Sequence, residues 1–209
     1  MSIDGDIGGG AAAHVREAEV VKHAVRGGGY REMSLRAPEV SGRVRPGQFI
    51  HLRVPRLAHC VLRRPFSVFD ADGECVVFLY KAVGQGTRAL TTVGKGERVS
   101  IVGPLGNGFP VPAEQSYPVA VAGGYGVAPL AFLARRSVKR GAAFIGAATA
   151  GDLLCEEEFR SLGWDVTVST EDGSRGATGL VTDALDGWLK RREAGLALEF
   201  FACGPDGML

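Results

Sequence analysis

Four consecutive residues have side chains suited to holding a flat, phosphorylated ligand: Arg64-Pro65-Phe66-Ser67. The guanidinium has forked donors for a pyrophosphate, and the aromatic ring can cover a planar heterocycle. The serine hydroxyl can hydrogen-bond a flavin at its N5 edge, where a hydride arrives. Taken alone the motif is weak, because an exposed pair, Arg63 and Arg64, at the start of a strand explains it equally well.

A second cluster combines Leu79-Tyr80-Lys81 with the loop Gly84-Gln85-Gly86-Thr87. The two glycines allow backbone N–H groups to approach a diphosphate, and Thr87 adds a hydroxyl donor. Residues 88–92 are predicted to form a short helix, and the N-terminus of a helix favours an anion. An ordinary glycine turn without a ligand is the alternative at this point.

A glycine-rich turn follows an apolar strand and opens a predicted helix: Ala122-Gly123-Gly124-Tyr125-Gly126-Val127-Ala128-Pro129. A dinucleotide-binding turn requires this context, because its glycines bring the backbone close to a pyrophosphate. Pro129 stands where the standard fingerprint has its third glycine, and proline is well tolerated near a helix start. A tight turn with no ligand is the alternative.

The last predicted strand ends in Cys203-Gly204-Pro205. Ligands of open α/β sheets bind outside the carboxyl ends of the strands. We therefore expect Cys203 and the turn around Gly124 to lie at the same edge of a sheet. A lone buried cysteine is the competing interpretation.

The residues before about 112 carry strand patterns separated by turns. Ile50, Leu52 and Val54 alternate with polar residues at a period of two. Residues 75–83 are rich in Val, Phe, Leu and Tyr, and Asp72-Gly73 before them is typical of a hairpin turn. Short strands without helix patterns between them predict a small antiparallel barrel.

Beyond residue 112 strands and helices alternate. Predicted strands cover residues 119–122, 143–148, 166–169 and 198–202. Predicted helices cover residues 128–140, 156–162 and 179–192. This alternation predicts a doubly wound parallel sheet. We therefore expect a two-domain β plus α/β protein, with a flexible leader (1–14), an antiparallel β-barrel domain (15–112) and an α/β domain (113–209).

Composition excludes several classes of function. The 24 basic and 23 acidic residues give a net charge of +1, which provides no field for binding nucleic acid. The four cysteines include no C-x-x-C pair and the four histidines are scattered, so no metal site is predicted. The N-terminus has no signal peptide, and glycines interrupt the longest apolar stretch, residues 118–134. We expect a cytoplasmic protein with reduced cysteines that binds no membrane.

In their order along the chain, these motifs resemble the ferredoxin–NADP reductase superfamily and, within it, the electron-transfer subunits of class 1B dihydroorotate dehydrogenases. The resemblance covers roughly residues 15–209, and its motifs are specific in combination. Further stretches that carry it are Pro46-Gly47-Gln48-Phe49, Leu62-Arg63-Arg64-Pro65, Gly103-Pro104-Leu105-Gly106-Asn107-Gly108-Phe109, Thr170-Glu171-Asp172-Gly173-Ser174 and Gly179-Leu180-Val181-Thr182-Asp183.

The resemblance implies an FAD site on the barrel domain and an NAD site on the α/β domain. The implied FAD residues are Arg64, Pro65, Phe66, Ser67, Leu79, Tyr80, Lys81, Gly84, Gly86 and Thr87, with Gly106, Asn107 and Gly108 where the domains meet. The implied nicotinamide-nucleotide residues are Gly123, Gly124, Gly126, Val127, Ala128, Pro129, Cys203, Gly204 and Pro205. Ser67, near the flavin N5, and Cys203, near the nicotinamide, are the implied catalytic residues.

The resemblance also implies an electron path and a partner. In such proteins NADH gives a hydride to FAD, and single electrons pass through a [2Fe–2S] cluster to FMN in a catalytic dehydrogenase subunit that oxidises dihydroorotate. The family's cluster cysteines follow the Cys-Gly-Pro motif, and the sequence, which ends at Met208-Leu209, contains no such ligands. We expect a shortened chain, since the last strand otherwise lacks a covering helix, with a cluster-free variant as the alternative.

The choice between NAD and NADP depends on the charges beside the adenosine ribose. A 2′-phosphate needs a cation, usually an arginine, and residues 147–150 after the second α/β strand contain none. Glu171 and Asp172 after the third strand would repel a phosphate. We therefore predict NAD, although Arg175 is close enough in sequence to weaken the argument.

Two other functions stay open at this point. A stand-alone flavin reductase, or a reductase component for another redox partner, would carry the same motifs, and the missing cluster ligands favour it slightly. A non-catalytic accessory protein would not retain FAD, and the intact motifs at 64–67 and 86–87 argue against it. No acid–base constellation is recognised, in keeping with hydride transfer, which depends chiefly on positioning.

Overall fold

Six strands in the first half of the chain close into an antiparallel barrel. The computed structural model describes residues 14–56, 62–191, 195 and 197–209, without the side chain of His14. The predicted leader, residues 1–14, lies outside the described residues except for His14, which begins the first strand. The elements of this half are β1 (His14–Gly27), β2 (Tyr30–Arg36), α1 (Pro38–Ser41), β3 (Phe49–Arg53), β4 (Arg64–Ala71), β5 (Cys75–Lys81), α2 (Gln85–Leu90) and β6 (Arg98–Leu105).

The barrel strands follow the order β1-β2-β5-β4-β3-β6 around the closed sheet. Along β3, Ile50 and Leu52 are fully buried while Phe49 and His51 are half-exposed, as a period of two predicts. Phe78 of β5 is fully buried in the same interior. The prediction of a small antiparallel barrel is confirmed.

The second half of the chain contains the elements β7 (Ser116–Gly123), α3 (Val127–Arg136), β8 (Ala142–Ala147), α4 (Glu156–Ser161), β9 (Asp165–Thr170), β10 (Ala177–Thr178), α5 (Val181–Arg191) and β11 (Ala197–Cys203). Its strands form a five-stranded parallel sheet of order β10-β9-β8-β7-β11. Helices α3 and α4 pack on one face and α5 on the other, so the predicted doubly wound arrangement is confirmed. None of the helices in the described part of the chain is long and apolar enough to span a membrane.

Strands β1 and β2 were not identified by the sequence patterns. The pairing of β1 with β2 shifts register between Val20 and Lys22 and again between Val25 and Gly27. Each such bulge inserts a residue, so inward and outward positions no longer alternate and the period of two is lost. The hairpin turn between the strands is formed by Gly27, Gly28 and Gly29, which all have positive φ.

Helix α3 is shorter than predicted. The sequence pattern placed this helix over residues 128–140, whereas α3 ends at Arg136. Ser137 leaves the helix with an extended backbone (φ −79°, ψ 131°). Its hydroxyl oxygen accepts a hydrogen bond from the Lys139 N–H at 3.1 Å, which stabilises the turn that stops the helix.

Helix α3 packs between the barrel and the parallel sheet. All residues from 127 to 134 are buried, which is typical of a helix covered on several sides. Leu130 belongs to the core of the sheet, whereas Phe132 packs into the core of the barrel. Arg135 Nη1 donates a hydrogen bond to the Phe69 carbonyl oxygen of β4 at 2.9 Å. The helix therefore fixes β4 relative to the sheet.

A second junction connects the barrel to the segment 150–152, a short 3₁₀ turn after β8. A Cβ placed on Gly28 would lie 2.0 Å from the carbonyl oxygen of Gly151, so the two backbones are in direct contact. Beside them, the Lys81 ammonium forms an ion pair with the Asp152 carboxylate. We call this set of residues the hairpin junction. The domain boundary at residue 112 stays a prediction and falls between β6 and β7.

Replacing Gly28 with alanine is expected to lower the free energy of unfolding by about 2 kcal/mol, since the hairpin junction has no room for a Cβ. Gly29→Ala is the control: Gly29 also has a positive φ, but its Cβ would lie 3.6 Å from its nearest neighbour, Lys81 Cε. Urea unfolding of both variants measures the difference. If both variants lost the same free energy of unfolding, backbone strain alone would explain the loss, which would contradict the packing argument.

Candidate functional site

A cavity of about 460 Å³ opens at the carboxyl edge of the parallel sheet. The sheet contributes residues that follow its strands: Gly123, Gly124, Ala147, Ala148, Glu171 and Pro205. The barrel contributes Tyr30 and Lys81 to the same lining. Because ligands of open α/β sheets bind at this edge, a molecule in the cavity would lie between the two halves of the chain.

The glycine turn and the Cys-Gly-Pro motif are in contact at this edge. A Cβ on Gly126 would lie 2.2 Å from the Cys203 carbonyl oxygen, and one on Gly123 would lie 2.8 Å from Pro205 Cδ. Gly124 has a φ of +55° and opens onto the cavity, where a Cβ would meet only the Tyr30 hydroxyl at 3.8 Å. The turn thus presents backbone rather than side chains to the cavity.

The last three residues of the glycine-rich motif support the glycine turn from the protein interior. Val127, Ala128 and Pro129 form the first turn of α3, and their side chains are buried. They therefore hold the glycine turn in place. Gly204 and Pro205 follow β11 beside them, where a Cβ on Gly204 would meet Met208 Cε at 2.5 Å.

Arg64 lies against the glycine loop that leads into α2. A Cβ on Gly86 would lie 3.0 Å from Arg64 Nε, so the glycine makes room for the guanidinium. Within the described residues the guanidinium makes one hydrogen bond, from Nη1 to the Leu62 carbonyl oxygen at 3.3 Å, which leaves donors for an anion. The Thr87 hydroxyl accepts from the Gly84 N–H at 3.1 Å and therefore shapes the loop itself.

Phe66 and Tyr80 point into the barrel. The Phe66 ring stacks on Phe78 with centroids 4.6 Å apart and lies 5.9 Å from the Tyr80 ring. His23 Nδ1 donates to the Val93 carbonyl oxygen at 2.7 Å, so its Nε2 accepts from the Tyr80 hydroxyl at 2.8 Å. Burial raises the pKa of Tyr80 to about 12. These rings therefore brace β4 and β5 from inside.

Pro65 and Ser67 alternate with Phe66 and lie on the outer side of β4. Ser67 pairs across the strands with the half-exposed Phe49 of β3. No hydrogen bond joins the Ser67 hydroxyl to another residue in the described parts of the chain, so it is available to a ligand. This outer surface is the place where a flat ring could lie against the barrel.

The segment Gly106-Asn107-Gly108 leads from the barrel towards the sheet. A Cβ on Gly106 (φ +76°) would lie 2.8 Å from the Phe49 ring, so only a glycine fits against it. Gln48 Nε2 donates to the Gly106 carbonyl oxygen at 2.8 Å and fixes the start of the segment. Asn107 is exposed. The segment borders the outer surface that carries Ser67.

The strand β5 connects the two ligand surfaces. Leu79 is buried in the core shared with the sheet, and Lys81 reaches the cavity. The Lys81 ammonium lies 4.9 Å from the centroid of the Tyr30 ring and pairs with Asp152. The hydrogen bond from Lys81 to Asp152 raises the pKa of Lys81, so a cation stands at the mouth of the cavity.

Two carboxylates line the cavity, Asp152 and Glu171, and no arginine is present among its described lining residues. Asp152 is paired with Lys81, which leaves Glu171 as the carboxylate that adds net negative charge to the described lining. Arg175 instead lines a neighbouring pocket, where its Nε lies 2.9 Å from Glu156 Oε2. The sequence alone left the position of Arg175 open, and the structure places its head group beside a carboxylate.

Sequence reasoning did not identify Tyr30, Asp152 or Met208, which all line the cavity. Tyr30 follows the hairpin turn, and Asp152 lies in the 3₁₀ turn, so tertiary contacts alone bring them together. The run Gly27-Gly28-Gly29 before Tyr30 was the available signal, because three glycines in succession are typical of a turn.

Burial raises the pKa of the Cys203 thiol above its ordinary value, so the thiol is neutral at pH 8 and a poor nucleophile. We expect iodoacetamide to alkylate Cys203 more slowly than it alkylates glutathione at pH 8, with the rate rising as the pH rises further. Mass-spectrometric peptide mapping over time follows the reaction. Alkylation of Cys203 at the rate of glutathione would refute the raised pKa.

Curated relatives of the chain share one name. "Dihydroorotate dehydrogenase B (NAD(+)), electron transfer subunit" of Geobacillus thermodenitrificans is 37% identical over 187 residues, which are 85% of this chain and 70% of that protein. The protein of the same name from Bacillus cereus (strain Q1) is 40% identical over 186 residues, covering 85% of this chain and 69% of the relative. No protein-family model matches the chain.

Solved structures share the two-domain fold. The NADH-dependent reduced ferredoxin-NADP oxidoreductase superposes with a TM-score of 0.78 and 29% identity over 96% of this chain and 70% of that one. An Amycolatopsis cytochrome P450 reductase has a TM-score of 0.78 with 24% identity over 96% of this chain and 65% of its own, a likeness in fold alone. With 37% and 40% identity to curated relatives over most of both chains, this chain belongs to the family of dihydroorotate dehydrogenase B electron transfer subunits.

Proposed function

We propose that this chain accepts a hydride from NADH onto FAD and passes the electrons to a catalytic dehydrogenase subunit that contains FMN, where they reduce orotate to dihydroorotate. When that subunit oxidises dihydroorotate, the same steps run in reverse and the electrons leave as a hydride to NAD+. The cavity at the sheet edge carries this proposal, because the nucleotide turn lines it from one side and Lys81 from the other. Lys81 ends β5, the strand that pairs with β4, on which Arg64 to Ser67 lie. The proposed flavin surface on β4 and the proposed nucleotide cavity therefore lie next to each other, joined through β5.

The residues of the barrel fit an FAD molecule. Arg64, with unused donors beside the glycine loop 84–87, is suited to the pyrophosphate. Pro65 and Ser67 present an outer surface whose serine hydroxyl has no hydrogen-bond partner among the described residues, and Phe66 supports that surface from inside. When bound, FAD supplies a ring that accepts a hydride and releases electrons one at a time.

The glycine turn fits a nicotinamide nucleotide. Gly123 to Gly126 place backbone N–H groups at the start of α3, where a pyrophosphate is favoured. Cys203 and Pro205 pack directly against this turn and border the nicotinamide side. Since α3 is locked against β4, the turn stays at a fixed position relative to Ser67. Fixed positioning of the two reactants is what hydride transfer requires.

The described residues do not fit the [2Fe–2S] cluster of the family. No three side chains of His, Cys, Asp or Glu lie together in the described parts of the chain, and such a cluster needs four ligands. Cys75 in β5, Cys155 just before α4 and Cys203 in β11 are free, while Cys60 is outside the described residues. We derive no electron step through a cluster from these residues. Free cysteines also fit a cytoplasmic location, as we propose for this chain.

An anaerobic absorbance titration tests the proposed function. The purified chain should show the bands of an oxidised flavin, and one equivalent of NADH should bleach the band near ~450 nm. Adding the catalytic subunit with orotate should then restore the oxidised spectrum. A protein that neither takes up FAD nor reacts with NADH would refute the proposal.

Replacing Arg64 with alanine is expected to weaken FAD binding by about 2–4 kcal/mol, because the FAD pyrophosphate would lose its charged donor. Arg63→Ala is the matched control. Arg63 donates from Nη1 to the Ser100 carbonyl oxygen at 2.8 Å, so it stabilises the barrel instead. Fluorescence titration with FAD gives both affinities. Equal FAD affinity in Arg64→Ala and the parent would rule out the assignment of Arg64.

The chain is expected to prefer NADH to NADPH by about tenfold or more in kcat/KM, since the Glu171 carboxylate lines the cavity and repels a 2′-phosphate while no arginine is present among the described lining residues. Glu171→Gln should narrow that preference by about threefold, because one repelling charge is lost. Stopped-flow flavin reduction with each nucleotide measures both values. A parent that reduces equally well with NADPH would contradict this assignment.

A further inference from the structure

Arg175 is held away from the cavity by a carboxylate. Its Nε lies 2.9 Å from Glu156 Oε2, and the pair lines the pocket next to the nucleotide cavity. The segment 150–152 separates the two spaces, with Asp152 facing the cavity and Ala150 lining the neighbouring pocket. Arg175 is thus a cation close to the adenosine side of the proposed nucleotide site that does not face into it.

The backbone around Arg175 is anchored. The Arg175 N–H donates to Thr170 Oγ1 at 3.0 Å, and that hydroxyl donates to the Arg175 carbonyl oxygen at 2.9 Å. The Ala150 N–H donates to Ser174 Oγ at 2.7 Å, which joins the loop to the segment 150–152. Because the backbone is fixed at both sides, the direction of the Arg175 side chain decides where its charge lies.

Glu156 is well suited to set that direction. Its side chain is 12% exposed, and it accepts from Arg160 Nη2 at 3.1 Å as well as pairing with Arg175. Burial would raise the pKa of Glu156, but the hydrogen bonds from Arg175 and Arg160 outweigh it, and the pKa is lowered. The carboxylate is therefore charged at neutral pH and attracts both guanidinium groups.

We infer that Glu156 is a positioning residue for nucleotide specificity: it keeps the Arg175 guanidinium paired and so withholds it from a 2′-phosphate. The inference rests on the proposed binding of NADH in the cavity. Without the Glu156 charge, Arg175 is free to turn towards the cavity. An arginine whose guanidinium is not already paired can donate two parallel hydrogen bonds to a phosphate. Selectivity for NADH then depends on Glu156 holding this arginine as well as on the Glu171 carboxylate that lines the cavity.

The size of the effect follows from the exposure of the pair. Arg175 is 53% exposed, so water screens its attraction to Glu156 and the pair is of modest strength. We therefore expect Glu156→Gln to raise the ratio of kcat/KM for NADPH over NADH by about threefold to tenfold. The matched control is Glu157→Gln, which removes the same charge one residue away from an exposed side chain in the same pocket.

The decisive variant is Glu156→Gln combined with Arg175→Gln. If the gain in NADPH use comes from the released arginine, the double variant returns to the ratio of the parent, whereas Glu157→Gln never departs from it. A gain that persists in the double variant would overturn the inference, as would an unchanged ratio in a Glu156→Gln protein with full FAD content. Stopped-flow reduction with both nucleotides gives these ratios.

A second test does not use Glu156→Gln, so the inference stays testable even if that variant misfolds. Arg175→Gln alone should leave the affinity for adenosine 2′,5′-bisphosphate within about twofold, because the paired arginine does not reach the phosphate. A loss of about tenfold would show that Arg175 already binds the phosphate and would overturn the inference. Failure of the parent to react with NADH would instead refute the proposed function.

Discussion

The burial of α3 between the barrel and the parallel sheet is the interaction on which the site depends. Residues 127–134 are buried, and Phe132 alone contributes about 2 kcal/mol by leaving water inside the barrel core. The helix begins at the glycine turn and its other end donates from Arg135 to β4. One rigid element therefore carries the glycine turn and holds the strand with Arg64 and Ser67. Hydride transfer needs that fixed geometry more than any acid or base.

Polar contacts also join the barrel to the second half of the chain, in addition to the buried helix. The Lys81 to Asp152 ion pair and the bond from Arg26 Nη2 to Glu158 Oε1 at 2.9 Å join the barrel to the segments after β8. Because Lys81 and Asp152 also line the cavity, the contact between domains shapes the ligand site itself. Apolar packing supplies most of the stability here, since exposed ion pairs contribute little, whereas the charges set the electrostatic surroundings of the cavity.

The charge that faces the cavity depends on which side chains form ion pairs in the fold, and the overall composition does not reveal it. The net charge of the chain is only +1, yet the Glu171 carboxylate lines the cavity and Arg175 lines the neighbouring pocket instead. The sequence motifs could not decide this point, because Arg175 follows Glu171 by only four residues and a short loop can turn a side chain either way. The Glu156 carboxylate comes from α4, and only the folded chain brings it within 2.9 Å of Arg175 in the pocket that both residues line.

The sequence by itself determined the two sheets and the motifs, since the period of two along β3 and the alternation of strands and helices beyond residue 112 are local patterns. It missed β1 and β2, where bulges break the period, and it extended α3 past Ser137. Tertiary structure alone decided that Phe66 and Tyr80 face the barrel interior and that Tyr30 and Asp152 share one cavity. The physical reason is that a local pattern records which face of an element is apolar, whereas the partner of that face depends on contacts between residues distant in the chain.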